Sequence, residues 1–251
     1  MSISLTRIRR YPVKGLRPDD LEQAELSPGQ GLENDRRFAL AKGSTAFDGP
    51  DPHWLPKHNF LVLAKNEKLA QLTTSFEDTT LTVFRNGKQV ARGDLTQPMG
   101  RTIIEDFFSA FMGEETQGKP QVVEMTSDRK FWDTPDGYLT LINAASVTDL
   151  ERVTKAPLDL ERFRGNLEIE GAEAWAEFDW IDKEITIGSV RCKVAGRVDR
   201  CAATTVNPET AERDVMVPRA LMKGFGHADC GVFVHVLEPG VIKPGDTITV
   251  S

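Results

Sequence analysis

The most informative stretch of the sequence is Gly196-Arg-Val-Asp-Arg-Cys-Ala-Ala-Thr-Thr-Val-Asn-Pro208, with Cys201 at its centre. Two arginines precede this cysteine and two adjacent threonines follow it, so one short segment offers a soft ligand, positive charge and hydrogen-bond donors. Neighbouring cations favour the thiolate, which is the nucleophilic and metal-binding form of cysteine, and thiolate sulfur suits soft transition metals. A free cysteine is also a common small packing residue. The stretch alone therefore leaves both interpretations of Cys201 open.

The sequence on both sides of this stretch predicts short β-strands. One hairpin is indicated by the alternation of Thr80-Leu-Thr-Val-Phe-Arg85, followed by the turn Asn86-Gly87 and a return strand over residues 88–92. The other predicted strands are residues 3–11, 21–26, 37–41, 60–64, 138–142, 167–169, 184–187 and 190–195, with two or three more between residues 230 and 250. Many short strands with few helices are typical of closed or partly closed barrels.

Helical patterns are fewer. Apolar residues at positions 103, 104, 107, 108 and 111 predict an amphipathic helix over residues 100–112. A second helix is predicted to start with Ser146 as its N-cap and to reach about Val153, and a short one covers residues 218–224. Residues 43–58 have the composition of a surface loop. The polar residues 113–120 mark a boundary between two predicted domains, residues 1–115 and 116–251.

Composition excludes several classes of protein. The 251 residues contain 31 Lys and Arg against 38 Asp and Glu, a net charge of −7, which argues against a nucleic-acid partner. There is no basic stretch followed by an apolar run at the start, and no run of about 20 apolar residues, so neither a signal peptide nor a membrane span is expected. Three irregularly spaced cysteines fit a reducing cytoplasm, and no Cys/His cluster indicates zinc or an iron–sulfur centre.

Four sequence blocks together resemble a known family. Arg200-Cys-Ala-Ala-Thr-Thr-Val-Asn-Pro208, preceded by Arg162-Phe-Arg-Gly-Asn166, is similar to the paired signature of the MOSC family, named after the C-terminal domain of molybdenum cofactor sulfurases. Tyr11-Pro-Val-Lys-Gly15 and Asn34-Asp-Arg-Arg-Phe38 resemble the β-barrel domain that usually precedes it. Within the family the pattern is most similar to the amidoxime-reducing component and its bacterial counterparts. The resemblance implies a mainly β fold, with a MOSC-type β-barrel preceded by a smaller β-barrel-like N-terminal domain and a few short helices.

The same resemblance implies a cofactor and a set of site residues. The cofactor is the molybdenum cofactor (Mo-molybdopterin), and pyridoxal phosphate is not expected. Cys201 is implied as the catalytic residue and the protein ligand to molybdenum. Arginine forks suit a phosphate tail, an asparagine suits a pterin edge, and a helix N-terminus suits an anion, although residues 143–146 equally fit ordinary capping. The implied cofactor-binding residues are Lys14, Gly15, Arg36, Asn143, Ser146, Arg164, Asn166, Arg200, Thr204 and Thr205.

Two positions depart from the family pattern. Gly165 stands where relatives usually have proline, and Gly15 stands where many amidoxime-reducing relatives have serine. The first departure leaves the backbone less fixed, and the second removes a hydroxyl that can contact the cofactor. Both departures concern which subfamily the chain resembles, and they leave the resemblance to the family unchanged.

The activity implied by the resemblance is reduction of N–O bonds in small N-hydroxylated compounds. Because the chain ends at Ser251, directly after the MOSC-like strands, the electrons are expected from a separate ferredoxin-, flavodoxin- or cytochrome-type protein. An alternative is a molybdenum cofactor carrier or sulfur-transfer protein that uses a Cys201 persulfide. A third reading is a binding module for phosphorylated metabolites in which Cys201 is merely buried. Composition does not distinguish reduction from sulfur transfer.

Overall fold

The computed structural model describes residues 2–46, 54–126, 130–134 and 138–251, and this part of the chain is mainly β with three α-helices. The strands are β1 (Ile3–Arg10), β2 (Asp19–Leu21), β3 (Ala24–Ser27), β4 (Gly31–Leu32), β5 (Phe38–Ala41), β6 (Leu72–Glu77), β7 (Thr80–Arg85), β8 (Lys88–Asp94), β9 (Gln121–Glu124), β10 (Leu139–Asn143), β11 (Leu167–Glu170), β12 (Glu184–Ile187), β13 (Val190–Asp199), β14 (Asp229–Val236), β15 (Gly240–Ile242) and β16 (Thr247–Val250). The helices are α1 (Pro98–Met112), α2 (Ala144–Thr154) and α3 (Val217–Phe225). The fold class predicted from the sequence is confirmed.

Seven of the described strands close a β-barrel. Their order is β11, β10, β14, β13, β12, β16 and β1, and β1 pairs back onto β11. Neighbours are antiparallel except β10 and β11, which run parallel. Closure leaves no free edge on these strands. Because β1 and β16 are the first and last strands, the barrel joins both ends of the chain, and the division at residue 115 stays a prediction.

The barrel core follows from alternation along its strands. In β13 the side chains of Val190, Cys192 and Val194 are buried, while Arg191 and Lys193 face solvent. Successive side chains of a strand point to opposite faces, so this period of two fills the interior with branched apolar groups. Cys192 is therefore a packing residue of the barrel core.

A second core lies in the N-terminal half. The antiparallel strands β6, β7 and β8 form a three-stranded sheet, and α1 packs on it through fully buried Ile104 and Phe108. The predicted hairpin is confirmed, with Asn86 and Gly87 both at positive φ in its turn. Strand β6 was not predicted from the sequence. Its buried residues are Leu72 and Phe76, which are not enough to show an alternating pattern.

Three predicted element boundaries need correction. Residues 60–64 are not a strand: Phe60 forms an isolated bridge to Ala41, and then the backbone turns because the Val62 carbonyl accepts from the N–H groups of Lys65 and Asn66. The predicted strand at residues 21–26 is two strands, β2 and β3. Helix α2 begins three residues earlier than predicted, so Ser146 lies inside the helix and is not its N-cap.

The N-cap of α2 is Asn143, whose side chain accepts a hydrogen bond from the N–H of Ala145. The loop predicted at residues 43–58 lies in part outside the described residues. Over the ranges that are described, no helix is long and apolar enough to cross a membrane.

Candidate functional site

A cavity of about 370 Å³ lies where the barrel meets the N-terminal half of the chain. Barrel strands contribute Thr140, Asp199 and Phe233 to its wall, and the N-terminal half contributes Lys14 and Val62. The volume is within the range of small-molecule and cofactor sites. The cavity therefore has the size and the position, between two cores, that a ligand site needs.

The charge on the cavity wall is strongly one-sided. Among the described residues, seven basic and two acidic side chains line it: Lys14, Arg36, Lys57, Arg162, Arg164, Arg197, Arg200, Asp133 and Asp199. This local excess of five positive charges stands in a chain whose net charge is −7. A cleft lined by one sign of charge concentrates ligands of the opposite sign. We call this site the basic cavity, and its chemistry selects an anion.

Cys201 lies in the wall of the basic cavity, at the start of a short 3₁₀ turn over Ala202–Thr205. Its carbonyl accepts from the N–H of Thr204 at 3.1 Å and from the Thr204 hydroxyl at 2.9 Å, which fixes the backbone next to the thiol. Cys192 and Cys230 are fully buried, and burial raises the pKa of each thiol to about 12. Of the three cysteines, Cys201 is the one exposed to a ligand in the cavity.

Arg200 is a buried wall residue whose guanidinium is held by backbone oxygens. It donates to the carbonyls of Phe163, at 2.7 Å, and Cys230, at 2.7 Å from Nε, and it lies over the Phe163 ring. Burial lowers the pKa of Arg200, and no carboxylate neutralises it within ion-pair distance among the described residues. The positive charge is thus fixed beside Cys201 in the chain and remains available to an anion.

Arg36 and Arg164 both lie over the ring of the same residue, Tyr11. Their guanidinium carbons lie 5.0 and 4.3 Å from the centroid of Tyr11, which is fully buried. Burial raises the pKa of the Tyr11 hydroxyl to about 12, against the opposing effect of the arginines. Asp35 forms an ion pair with Arg36, and Arg164 donates to the Leu16 carbonyl at 2.9 Å. Stacking and hydrogen bonds hold both planes in fixed orientations.

Lys14 and Gly15 bring the first sequence block to the cavity. The Lys14 ammonium donates to the Phe131 carbonyl at 2.8 Å and pairs with Asp133. Burial lowers the pKa of Lys14, and the Asp133 charge opposes that effect. Gly15 has φ +88°, and a Cβ there would overlap the Leu61 carbonyl oxygen, so glycine is required whatever its role toward a ligand.

The structure brings seven of the eleven predicted site residues to the basic cavity: Lys14, Gly15, Arg36, Arg164, Arg200, Cys201 and Thr204. Asn166 is not on its wall. This fully buried side chain donates to the Arg9 carbonyl at 3.0 Å and to Asp35 at 3.2 Å, and accepts from the N–H of Thr140. Asn166 therefore joins the sequence block in which it lies to the block that contains Asp35, behind the wall.

Asn143, Ser146 and Thr205 are also off the wall. Asn143 and Ser146 donate to the buried carboxylate of Glu177 at 2.8–2.9 Å, so their polar groups are already used. Burial raises the pKa of Glu177, more than those hydrogen bonds lower it. The Thr205 hydroxyl donates to the Ala202 carbonyl at 2.7 Å. These three side chains are therefore not placed to contact a ligand in the basic cavity.

Three basic wall residues were not among the predicted site residues: Lys57, Arg162 and Arg197. Arg162 and Arg197 lie inside the quoted motif blocks, so proximity to Arg164 and Cys201 was the available signal. The Arg162 side chain is 2% exposed and pairs with Asp214 at 2.7 Å. Lys57 had no such signal, because it sits in a segment without periodicity.

The departure at Gly165 has a local cause. A Cβ at this position would overlap the side chain of Ile142, which belongs to the core beside α2. A proline here would make the same overlap, because it also carries a Cβ. Within the described ranges no group of three or more His, Cys, Asp or Glu residues is arranged to hold a metal ion.

Comparison with known proteins gives two family matches, the MOSC domain over residues 128–249 and the MOSC N-terminal beta barrel domain over residues 2–131. Mitochondrial amidoxime reducing component 2 of Homo sapiens is 29% identical over 137 residues, which are 49% of this chain and 40% of the human protein. Mitochondrial amidoxime-reducing component 1 of Xenopus laevis is 22% identical over 289 residues, covering 95% of this chain and 79% of that protein. Molybdenum cofactor sulfurase of Danio rerio is 26% identical over 268 residues, covering 93% and 32%.

Among solved structures, the YUAD protein from Bacillus subtilis is 10% identical with a TM-score of 0.47, covering 100% of this chain and 96% of that one. The chain spans less than half the length of the mammalian relatives it matches. The two family matches nevertheless run from residue 2 to residue 249 and include all four sequence blocks. The chain therefore belongs to the MOSC family.

Proposed function

We propose that this protein binds the molybdenum cofactor in the basic cavity and reduces N–O bonds in small N-hydroxylated compounds. The observation that carries the proposal is the Cys201 thiol in the wall of a cavity with an excess of five positive charges. The names of the relatives support the same chemistry, since they include amidoxime-reducing components and a molybdenum cofactor sulfurase.

The side chains of the cavity fit a ligand with an anionic tail and a soft metal. Arg36 and Arg164 present fixed guanidinium planes, which suit bidentate contacts to phosphate oxygens. The Nε of Arg162 is buried and has no hydrogen-bond partner among the described residues. Buried polar groups are nearly always paired, so an acceptor on a bound ligand would complete this one.

Each wall residue then has a role toward the cofactor. Lys14, Arg36, Arg164 and Arg200 would hold its negative charge, with Gly15 and Thr204 shaping the wall, and Cys201 would supply the thiolate ligand. When bound, the cofactor supplies two-electron redox chemistry at its metal. The off-wall residues Asn143, Ser146, Asn166 and Thr205 would act only by fixing the elements behind the wall.

Two aromatic side chains of the cavity wall suit the organic group of a substrate. Tyr138 and Phe233 line the cavity with ring centroids 5.5 Å apart, on neighbouring chain segments. Aromatic faces bind flat apolar groups. An N-hydroxylated amidine takes up two electrons and two protons in the reaction and leaves as an amidine and water. The electrons would come from a separate redox protein of the ferredoxin, flavodoxin or cytochrome type.

The proposal is tested by measuring molybdenum, pterin and N–O reduction in protein made in a host that synthesises the cofactor. We expect wild type and a Cys192→Ala control to hold molybdenum and pterin and to reduce benzamidoxime. Cys201→Ala should lose molybdenum and activity. Equal molybdenum in wild type and Cys201→Ala would exclude the ligand role of Cys201. Reduction without molybdenum would exclude the mechanism.

Sulfur transfer is the second candidate, because the similarity to the Danio rerio molybdenum cofactor sulfurase covers 93% of this chain. In that function Cys201 would carry a persulfide. Intact-mass measurement should then show the mass of one added sulfur atom, removable by a thiol reductant and absent from Cys201→Ala. Such a protein should not turn over N-hydroxylated substrates.

A further inference from the structure

The turn that carries Cys201 lies against a segment of the N-terminal half, and this junction is part of the cavity wall. Ala203 and Thr204 line the cavity on one side of the junction, and Leu63 and Ala64 line it on the other. Any change in the distance between these two segments changes the width of the cavity next to the thiol. What holds the segments together therefore controls access to Cys201.

Apolar packing across this junction is small. The buried cluster there contains only Ala70, Val206 and Ala211, with Leu63 partly buried against it. Hydrophobic stabilisation grows with the apolar area removed from water, and alanines contribute little area. By comparison, the barrel core is built mainly from Leu, Ile and Val. The junction must depend on polar contacts to a greater degree than the two cores it connects.

Arg213 supplies those contacts. Its Nη1 donates to the Ala202 carbonyl at 3.1 Å and to the Thr205 hydroxyl at 2.8 Å, both in the Cys201 turn. Its Nη2 donates across the junction to the carbonyls of Leu63 at 3.1 Å and Ala64 at 3.2 Å, and to the Glu67 carboxylate at 3.0 Å. These five hydrogen bonds, which we call the Arg213 clamp, connect the two segments through one planar group.

The loop before Arg213 is itself rigid. Asn207 accepts from the N–H groups of Glu209 and Thr210 through its side chain, and its backbone N–H donates to the Glu212 carbonyl at 2.8 Å. Val206 and Arg213 form a β-bridge that closes the loop. This loop therefore fixes the backbone of Arg213, and the guanidinium of Arg213 contacts both segments.

We propose that Arg213 is a positioning residue: its clamp holds the Cys201 turn against residues 63–67 and thereby sets the access of ligands to the Cys201 thiol. Arginine is suited to this because its fork presents donors on two edges in one fixed plane. The inference concerns the thiol and its surroundings, so it does not depend on which reaction the cavity performs.

The test is the rate at which iodoacetamide alkylates each cysteine of the folded protein, located by peptide mass spectrometry. We expect Arg213→Gln to raise the Cys201 rate about tenfold, the factor that follows from losing one charged hydrogen bond of ordinary strength in a local opening. Arg213→Lys, which keeps the charge but reaches one edge only, should give a smaller increase. Cys192 and Cys230, both fully buried, report the state of the rest of the fold.

Two further variants keep the outcome decisive. Glu67→Gln keeps an oxygen acceptor but removes the negative charge on the exposed side, and it should raise the Cys201 rate about twofold, because an exposed ion pair contributes little. Arg219→Gln, on the exposed face of α3, is the matched control and should change nothing. An unchanged Cys201 rate in folded Arg213→Gln would overturn the proposal. So would equal acceleration of all three cysteines, because that would show global unfolding and no local positioning.

Discussion

Removal of the Asp35 carboxylate is predicted to destabilise the protein far more than removal of an exposed carboxylate. Asp35 is 1% exposed and accepts from the N–H of Tyr11 at 2.8 Å, from Asn166 at 3.2 Å and from the guanidinium of Arg36. Asp35→Ala would leave three buried donors without this acceptor, one of them charged. Breaking a buried ion pair from one side costs about 3–5 kcal/mol. The residue connects three of the four sequence blocks, so we expect a loss in that range.

The assay is urea unfolding followed by tryptophan fluorescence. With a slope of about 3 kcal/mol per M for a chain of this size, the midpoint of Asp35→Ala should fall by about 1–2 M. Asp35→Asn keeps an acceptor and loses the charge, so its loss should be about 2 kcal/mol. The control is Asp20→Ala, whose side chain is 63% exposed and pairs with Arg9, and whose loss should stay below about 1 kcal/mol. Equal midpoints for the Asp35 and Asp20 variants would refute this reasoning.

Three further changes test other parts of the structure. Gly15→Ala should cost about 2–4 kcal/mol in urea unfolding, because φ is +88° and the new Cβ overlaps the Leu61 carbonyl; a loss under about 1 kcal/mol would contradict the packing. Burial raises the pKa of Glu177 above its ordinary value of 4.5, so its contribution to stability is complete below that value and is lost as pH rises through the folded-state pKa. Glu177→Gln should flatten this fall in urea midpoint above pH 4.5, and an unchanged pH dependence would assign the fall to other groups. Arg164→Leu should weaken binding of inorganic pyrophosphate about tenfold by calorimetry, with exposed Arg191→Leu as the unaffected control, and equal affinities would remove Arg164 from the anion site.

Local patterns predicted some elements correctly and one element wrongly. The period of two in β13 and the turn residues Asn86 and Gly87 predicted their strands, because side-chain alternation and positive φ are local properties. The strand predicted at residues 60–64 is wrong, since its apolar run serves two cores while its backbone turns at Val62. Apolar composition alone does not report backbone direction.

Among the predicted site residues, the charged and the uncharged ones lie in different places. The charged residues of the motif blocks, such as Arg36, Arg164 and Arg200, do line one cavity. The uncharged polar residues Asn143, Ser146 and Asn166 instead bind buried partners such as Glu177 and the Arg9 carbonyl, which lie 31 to 157 residues away in the sequence. A buried polar side chain needs a hydrogen-bond partner, and which partner is near depends on the fold.

The mainly β class, the positions of most strands and the concentration of arginine and cysteine around Cys201 could all be inferred from the amino-acid sequence. Long-range packing was needed to show that β1 closes the barrel onto β11, that two arginines lie over one buried tyrosine, and that Arg213 joins the Cys201 turn to residues 63–67. The difference lies in the distance along the chain over which each property acts. Alternation, turn preference and charge are properties of neighbouring residues, whereas strand order and hydrogen-bond partners depend on which distant segments pack together to bury the two cores.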